Sequence, residues 1–401
     1  MSLAPVAPPE RVAALDVLRG LALFGVLAAN VHQLFSTHWI RPDLVMDPTP
    51  LDAAAAYFVE LVIAGKAMTM LTFLFGLGFA SQLLRADERG EDARPLFVRR
   101  LAALFLFGAC HVTLLWWGDV TWTYAVSGFA LLAFRRRAPR TLLLWAFALI
   151  LVPRLIVAIP EIQQAVYQAL PHPADPRAFR AEVNAAIHGT DHVTLAWAHL
   201  RHAFYFVTMI AAWYFPWLVG RFLLGYYAGQ RRLFEADGAA HLPLFRRLVA
   251  WGLAIGVAGA ATRVALDSSL MASYQLLLPA RLGVILLLEL STLGLTAAYA
   301  SIAILLLGRP RWRRALLVLA PVGRMPLTTY LSQSVAATFV FYGWGFDRAG
   351  RTAAAGCLAI SVVIFSLQIA VAHLWLRRFR YGPAEWLWRT LAYGRRPAMR
   401  G

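Results

Sequence analysis

Charge and cysteine are what this chain has little of. Only 15% of its 401 residues are charged, against 60% hydrophobic, which leaves too little polar surface for a water-soluble protein of this length. Its two cysteines, Cys110 and Cys357, stand in separate apolar stretches without metal-ligand spacing. They read as buried thiols and exclude a cysteine-ligated metal site. Lysine is nearly absent: of 38 basic residues only Lys66 is lysine, and the rest are arginine. With 21 acids the formal charge is +17. On a soluble chain that excess points to nucleic acid. Here the arginines gather at the ends of apolar runs, so a lipid surface explains them and no nucleic-acid partner is expected. Low-complexity tracts, a soluble-domain linker and a clear internal repeat are also missing. A single integral membrane domain over 1–401 is the simplest organisation.

What is present is a rhythm. About ten apolar stretches alternate with short loops, and every second loop is rich in arginine: Arg85 to Arg100, Arg135 to Arg140, Arg231 to Arg247, Arg309 to Arg314, and the tail at about 377–401. Positive charge near span ends resists translocation. These loops, and with them both termini, are expected in the cytoplasm. At roughly 20 apolar residues per crossing, spans are predicted near 13–35, 66–84, 97–117, 119–134, 141–159, 203–229, 247–265, 281–307, 315–341 and 352–376. The fold class is therefore all-α, a polytopic membrane protein of about ten transmembrane helices. The fourth span is short, and Pro216 is placed to kink the long sixth. Asp52 to Ala64 is apolar but too short to cross, and reads as an outer-surface or re-entrant helix. Trp39, Trp116, Trp117, Trp122, Trp213 and Trp344 fall near predicted outer ends, where amphipathic rings favour the interface. The first span is interrupted by Asp16 and Arg19 and followed by no clear small-x-small site, so it is expected to stay uncleaved. The outer segment at about 160–201, with His172, His188, His192 and His199 and with His202 just beyond it, reads as a solvated loop with a short helix in preference to a metal site.

Ionisable residues inside a bilayer cost about 2.5–3.5 kcal/mol each on insertion scales, so they mark candidate sites. The outer half holds Asn30, His32, Lys66, His111, Asp119, Arg154, Arg263 and Arg281, with Glu289 deeper. The inner half holds Asp16, Arg19, Arg221, Arg324 and His373. Structural roles compete with functional ones. Asp16 and Arg19, three apart, can pair on one helix. Glu289 can neutralise Arg281, Arg263 or Arg154, and His373 can bond a neighbouring helix. His111, among Phe107, Leu114 and Leu115, needs a polar partner, and a bend at Gly118 would fold Asp119 back toward it. Gly76 and Gly78 read as helix-packing positions.

Several strings resemble, in order, the motifs of one family. They are Leu15-Asp16-Val17-Leu18-Arg19-Gly20 with Asn30; Gly65-Lys66 followed by Thr72 to Phe79; His111 with Trp116 and Gly118-Asp119-Val120; Gly323-Arg324-Met325-Pro326 through Ser334; and Phe379 through Arg389 with Tyr393-Gly394. The family is the YeiB-type bacterial membrane family, whose shared domain has no assigned function. Thr329 and Pro326 depart from its fourth motif, where asparagine and a small residue are expected. The family is distantly similar to the lysosomal heparan-alpha-glucosaminide N-acetyltransferase and other transmembrane acyltransferases. That resemblance implies acyl transfer from cytoplasmic acyl-coenzyme A to an acceptor across the membrane. Asn30 matches an asparagine of that enzyme near the outer end of its first span, and its catalytic histidine would fall on His32 or His38. The YeiB-type motif itself contains His111 and Asp119, which rank first.

The expectation is then a histidine base oriented by Asp119, with Asn30 or Lys66 stabilising the oxyanion. Arg19, Arg324 and Arg377 or Arg378 would hold coenzyme A phosphates, and Tyr330 and Gln333 of the fourth motif would serve the substrate site. Acyl-coenzyme A is the expected donor, a small molecule the acceptor, the lipid bilayer a partner, and no metal is expected. A homodimer is kept as an option, in a bacterial cytoplasmic (inner) membrane. Two other classes compete: a transporter or flippase without covalent chemistry, and an envelope scaffold. A deep cavity open to the cytoplasm and narrowing toward His111 favours the enzyme. Polar cavities at both faces, separated by a thin gate, favour the transporter.

Overall fold

The structure is a computed structural model and describes residues 13–36, 49–266 and 275–400. Among these residues the chain is helical, with no strand pairing beyond one bridge between Phe379 and Arg400. Helix α1 is Ala13–Asn30 and passes into a π-helical turn, Val31–Phe35. An outer helix α2, Pro50–Phe58, runs on through Val59–Ile63 and ends where Gly65 takes φ +77°, a turn that only glycine makes without strain. Then follow α3 (Lys66–Glu88), α4 (Arg94–Leu114), α5 (Thr121–Ala130), α6 (Pro139–Val157), α7 (Pro160–Ala169), α8 (Pro176–His188) and α9 (His192–Gln230). The second half comprises α10 (Leu242–Ala265), α11 (Leu278–Leu307), α12 (Pro310–Leu317), α13 (Ala320–Arg324), α14 (Pro326–Phe341), α15 (Ala354–Leu376) and α16 (Pro383–Tyr393). Proline in the first turn, which has no amide bond to lose there, begins many of these helices.

Among the described residues, eight helical segments are long and apolar enough to cross a bilayer. The remaining two expected crossings are shorter: α5 with its 3-10 extension Leu131–Phe134, and the ninth, which is not one span over 315–341. That stretch is divided into α12, α13 and α14, with a break at Met325 (φ −126°, ψ 58°) where Pro326 starts a new helix. The outer segment also differs from expectation. It is not a loop with one short helix but α7, α8 and the start of α9. Helix α9 is 39 residues long, about 58 Å at 1.5 Å per residue, and Pro216 sits inside it without ending it. Its first turns therefore stand outside the hydrocarbon. Cys357 is buried as expected, whereas Cys110 is exposed on α4.

The contacts between loops respect the two sides that the arginine rhythm assigns. Inner loops bond inner loops: Arg135 to Asp87 (3.0 Å) and Asp92 (2.9 Å), Arg232 to Glu88 (2.9 Å), and Arg313 to Asp237 (3.2 Å). Outer segments bond outer segments: Gly343 N–H to the Ile187 carbonyl (2.8 Å), Gly350 N–H to that of Ser36 (2.8 Å), and Ala355 N–H to Asp52 (3.1 Å). Around the outside, Leu144, Trp251, Val257, Leu367 and Leu374 are 61–73% exposed, an apolar surface that suits lipid and not water. Inside, α3 and α9 meet backbone to backbone. A Cβ at Gly76 would lie 1.9 Å from the Phe222 carbonyl oxygen, and one at Gly225 would lie 1.9 Å from that of Phe73. Gly78, two residues on, has nothing within 4 Å of the corresponding point.

Candidate active site

Helix α4 ends in a bend that builds the first element of the site. The amides of Leu115 and Trp116 both bond the His111 carbonyl at 3.0 Å, and the chain then turns through Gly118. The turn carries Asp119 back over the helix end, so that its Oδ1 lies 2.6 Å from His111 Nδ1 with both side chains at 1% exposure or less. Asp119 also accepts from the Thr121 hydroxyl (2.8 Å) and the Trp122 amide (3.1 Å), which closes the first turn of α5. Held this way, the imidazole turns Nδ1 to the carboxylate and points Nε2 away from it. That nitrogen is buried and without a hydrogen-bond partner. Tyr330 packs 5.3 Å from the imidazole, ring to ring, and its hydroxyl accepts from the Val120 amide at 3.4 Å. Toward the outer side stands Trp116, 6.5 Å from the imidazole and stacked on Phe35 at 4.3 Å.

The second element is a cavity of about 500 Å³ between α1, α3, α4, α5, α13, α14 and α16. Its lining changes along α3 from Leu71 and Phe75 through Gly78, Ser81 and Gln82 to Arg85 and Arg89. From Leu71 to Arg89, the C-cap of α3, is 18 residue steps, about 27 Å along the helix axis. Arg19, Arg100, Arg324 and Arg389 join Arg85 and Arg89 at the inner end, with Asp16 and Glu385 as the acids. The outer end is closed by Val120, Thr121 and Tyr330, the immediate neighbours of the His111–Asp119 pair. His111 itself lies behind this wall and does not line the cavity.

The mouth is fixed by the C-terminal helix. Glu385 is buried and accepts from the amides of Leu327 (2.6 Å) and Thr328 (3.1 Å) and from the Thr328 hydroxyl (2.5 Å), capping α14 just past the Met325 break. Burial pushes its carboxyl above the usual range, opposed by the hydrogen bonds from Thr328 and Leu327. Trp388 adds a bond from its indole N–H to the Arg100 carbonyl (2.9 Å), with the Arg100 guanidinium 4.2 Å over the ring.

The expected site residues thus separate into groups. His111, Asp119 and Tyr330 come together, and Arg19 and Arg324 share the cavity mouth, Arg19 bonded to Asp16 at 2.8 Å. Gln333 instead ties helices, donating to the Leu23 carbonyl and to Gln368, each at 3.2 Å. Asn30 and His32 are half-buried where α1 meets its π-helical turn, and His38 lies outside the described residues. Lys66 belongs to a different, outer pocket with Arg154, Arg263 and Glu289. Glu289 pairs with Arg221 and with Arg154 (3.6 Å), while Arg263 pairs with Glu60 (2.7 Å). His373 bonds the Ile369 carbonyl of its own helix (2.9 Å). Arg377 and Arg378 do not line the cavity. Arg85, Arg89, Arg100, Arg389 and Glu385 were not singled out as site residues. The i, i+3, i+4 spacing of Gly78, Ser81, Gln82 and Arg85 on one face of α3 was the available signal for the first two. The outer histidines do not converge. His199 lies 3.3 Å from the Tyr342 hydroxyl, His202 packs on Trp117 at 4.0 Å, and His188 pairs with Asp347. Among the described residues no three metal-ligating groups come together.

Comparison with known proteins adds the family. Residues 228–395 match a family described as "Protein of unknown function (DUF418)". The chain is 31% identical to the uncharacterized protein YxaH of Bacillus subtilis (strain 168), over 98% of its own length and 96% of that protein. It is 29% identical to the uncharacterized protein YeiB of Escherichia coli (strain K12), over 95% of this chain and 96% of that one. The chain belongs to the YeiB-type family. A further relative, the uncharacterized 39.9 kDa protein in the amylase 3' region of Bacillus acidopullulyticus, is 28% identical over 98% of this chain and 96% of its own. The DUF418 stretch contains Arg324, Tyr330, Glu385 and Arg389, whereas Arg19, His111 and Asp119 lie in the N-terminal half. The cavity is built from both.

Proposed function

We propose that this YeiB-type protein is a transmembrane acyltransferase of the bacterial cytoplasmic (inner) membrane. It takes an acyl group from cytoplasmic acyl-coenzyme A and passes it to a hydroxyl or amine acceptor from the outer side. One observation carries the reading: a cavity with six arginines at its inner mouth and an apolar interior ends against Thr121 and Tyr330, which flank the buried His111–Asp119 pair. Coenzyme A has the same order of chemistry, with phosphates at one end, a thin amide-bearing arm and a thioester at the other. The arginines hold the phosphates through charge-assisted hydrogen bonds. The arm lies along Gly78, Ser81 and Gln82. The thioester reaches the end wall, where the Tyr330 hydroxyl, which accepts from Val120 and keeps its own proton to donate, is the group placed to receive developing negative charge.

In this mechanism His111 Nε2 takes the proton from the acceptor as its oxygen or nitrogen attacks the thioester carbonyl. The C–S bond breaks when the tetrahedral intermediate collapses, and the imidazolium returns the proton to the departing thiolate. Asp119 keeps Nδ1 protonated and balances the transient charge. Because the imidazole stands behind Tyr330, the ring has to swing aside for the thioester to meet the acceptor. A transporter without covalent chemistry remains the competing class. The outer polar pocket shares no lining residue with the cavity, so the two do not form halves of one straight path.

The test uses the purified full chain in lipid nanodiscs with acetyl-coenzyme A labelled in the acyl group. Saturable binding that weakens as salt rises, together with release of free thiol, is the expected result. Absence of both, with passage of labelled anions into proteoliposomes, would replace the enzyme reading with the transporter.

A further inference from the structure

On another face of α3, toward the outer end, α3, α6, α10 and α11 enclose a second space of about 70 Å³. It is lined by Lys66, Arg154, Arg263, Glu289, Ser291 and Thr292, among others. The charges around it do not balance. Glu289, the one carboxylate in the lining, is shared between Arg221 and Arg154. Glu60 is engaged by Arg263 at 2.7 Å. Lys66, 8% exposed, donates to a neutral group, the Glu60 carbonyl, at 3.2 Å. Four cations, Lys66, Arg154, Arg221 and Arg263, therefore face two carboxylates. Arg221 Nη1 and Arg263 Nε are buried without a hydrogen-bond partner. Uncompensated charge at bilayer depth is costly. Loss of the Lys66 proton would not cure the excess, because arginine keeps its own and one positive charge would still be unmatched.

We infer that this pocket binds one small anion, an oxyanion or a halide, entering from the outer side. A water needs about 10–15 Å³ measured in this way, so 70 Å³ accepts a chloride, a bicarbonate or a phosphate group, and is too small for coenzyme A. A dianionic phosphate group matches both of the positive charges that Glu60 and Glu289 leave over, and a monoanion such as chloride or bicarbonate matches one of them. The anion lies against Lys66 and the two arginines, and holds α3, α6, α10 and α11 together. The site is separate from the arginine mouth of the large cavity and does not depend on acyl transfer.

Thermal unfolding of the full chain in detergent, followed by tryptophan fluorescence, tests this with inorganic phosphate and chloride as probes. Ionic strength is held constant with gluconate, which is too bulky for the space. A saturable rise of a few degrees in Tm is expected with at least one probe. Lys66→Met should weaken it at least tenfold, and Glu289→Gln should shift the midpoint to lower anion concentration, although it costs the protein its Arg221 pair. Should Lys66→Met not fold, Arg154→Gln serves in its place. If the response appears only after lipid is stripped and phosphatidylglycerol abolishes it, the bound group is a headgroup phosphate. If stripping changes nothing, it is a free anion. No saturable response in stripped or unstripped protein, or the same response in wild type and Lys66→Met, would overturn the inference.

Discussion

His111 is where the proposed chemistry is concentrated, and its surroundings separate catalysis from folding. Removing the imidazole leaves Asp119 bonded to Thr121 and Trp122, so the turn into α5 survives. His111→Ala is therefore expected to fold, to bind coenzyme A at the distant arginines as wild type does, and to lose about 10²–10⁴-fold in transfer rate. Asp119→Asn should lose less, since an amide oxygen can still accept from Trp122 while the imidazolium loses its counter-charge. His32→Ala and His38→Ala are the controls. Transfer assays in which one of these abolishes activity and His111→Ala does not would move the base to the first span. At this scale the pair was legible because a histidine in an apolar run needs a partner, and Gly118 offers the only nearby bend. Glu385 was not legible. Its role is to cap a helix that begins 59 residues earlier, after a break that hydropathy does not register.

Two glycines on α3 show how one element serves both packing and the cavity. Gly76 presses on the Phe222 backbone, whereas Gly78 faces open space in the wall of the cavity. Gly78→Leu should therefore insert and fold, helped by a helix propensity better than that of glycine by several tenths of a kcal/mol. The leucine should fill the channel and lower coenzyme A affinity at least tenfold, as read by equilibrium binding. Gly76→Leu should fail to yield folded protein, because its Cβ already overlaps a main-chain carbonyl. Equal folding yield and equal affinity for Gly78→Leu and wild type would remove α3 from the ligand path. Sequence spacing alone treats both glycines as packing positions, since it does not reveal which face of α3 meets α9. The same limit explains the ninth crossing. Its apolar run looks continuous, yet Pro326 cannot donate to the preceding turn, so the helix restarts there. The outer segment differs from its expected form for a related reason. Its helices carry polar faces and cross nothing, so hydropathy says little about them.

At the scale of the whole molecule, the arginine rhythm and the packing make the same assignment from independent physics. Charge asymmetry concerns insertion, whereas the ion pairs Arg135–Asp87 and Arg232–Glu88 concern the folded state, yet both put these loops on one side. This is why the class and the grouping of the loops into two sets were legible from sequence while the cavity was not. Span ends are marked locally by charge, but a cavity depends on which faces of seven helices meet. The topology can be tested directly. A cysteine at Asp175, the N-cap of α8, should react with membrane-impermeant thiol reagents in intact spheroplasts, because the α7–α8 segment is placed outside. A cysteine at Arg137, in the inner loop that Gln230 bonds, should react only after permeabilisation. The two native thiols set the background, and Cys110, exposed on α4, is first replaced by serine. Labelling of the Arg137 position in intact spheroplasts, with protection at Asp175, would invert the molecule. The six arginines would then face away from cytoplasmic coenzyme A, and the proposed reaction would fall with the topology.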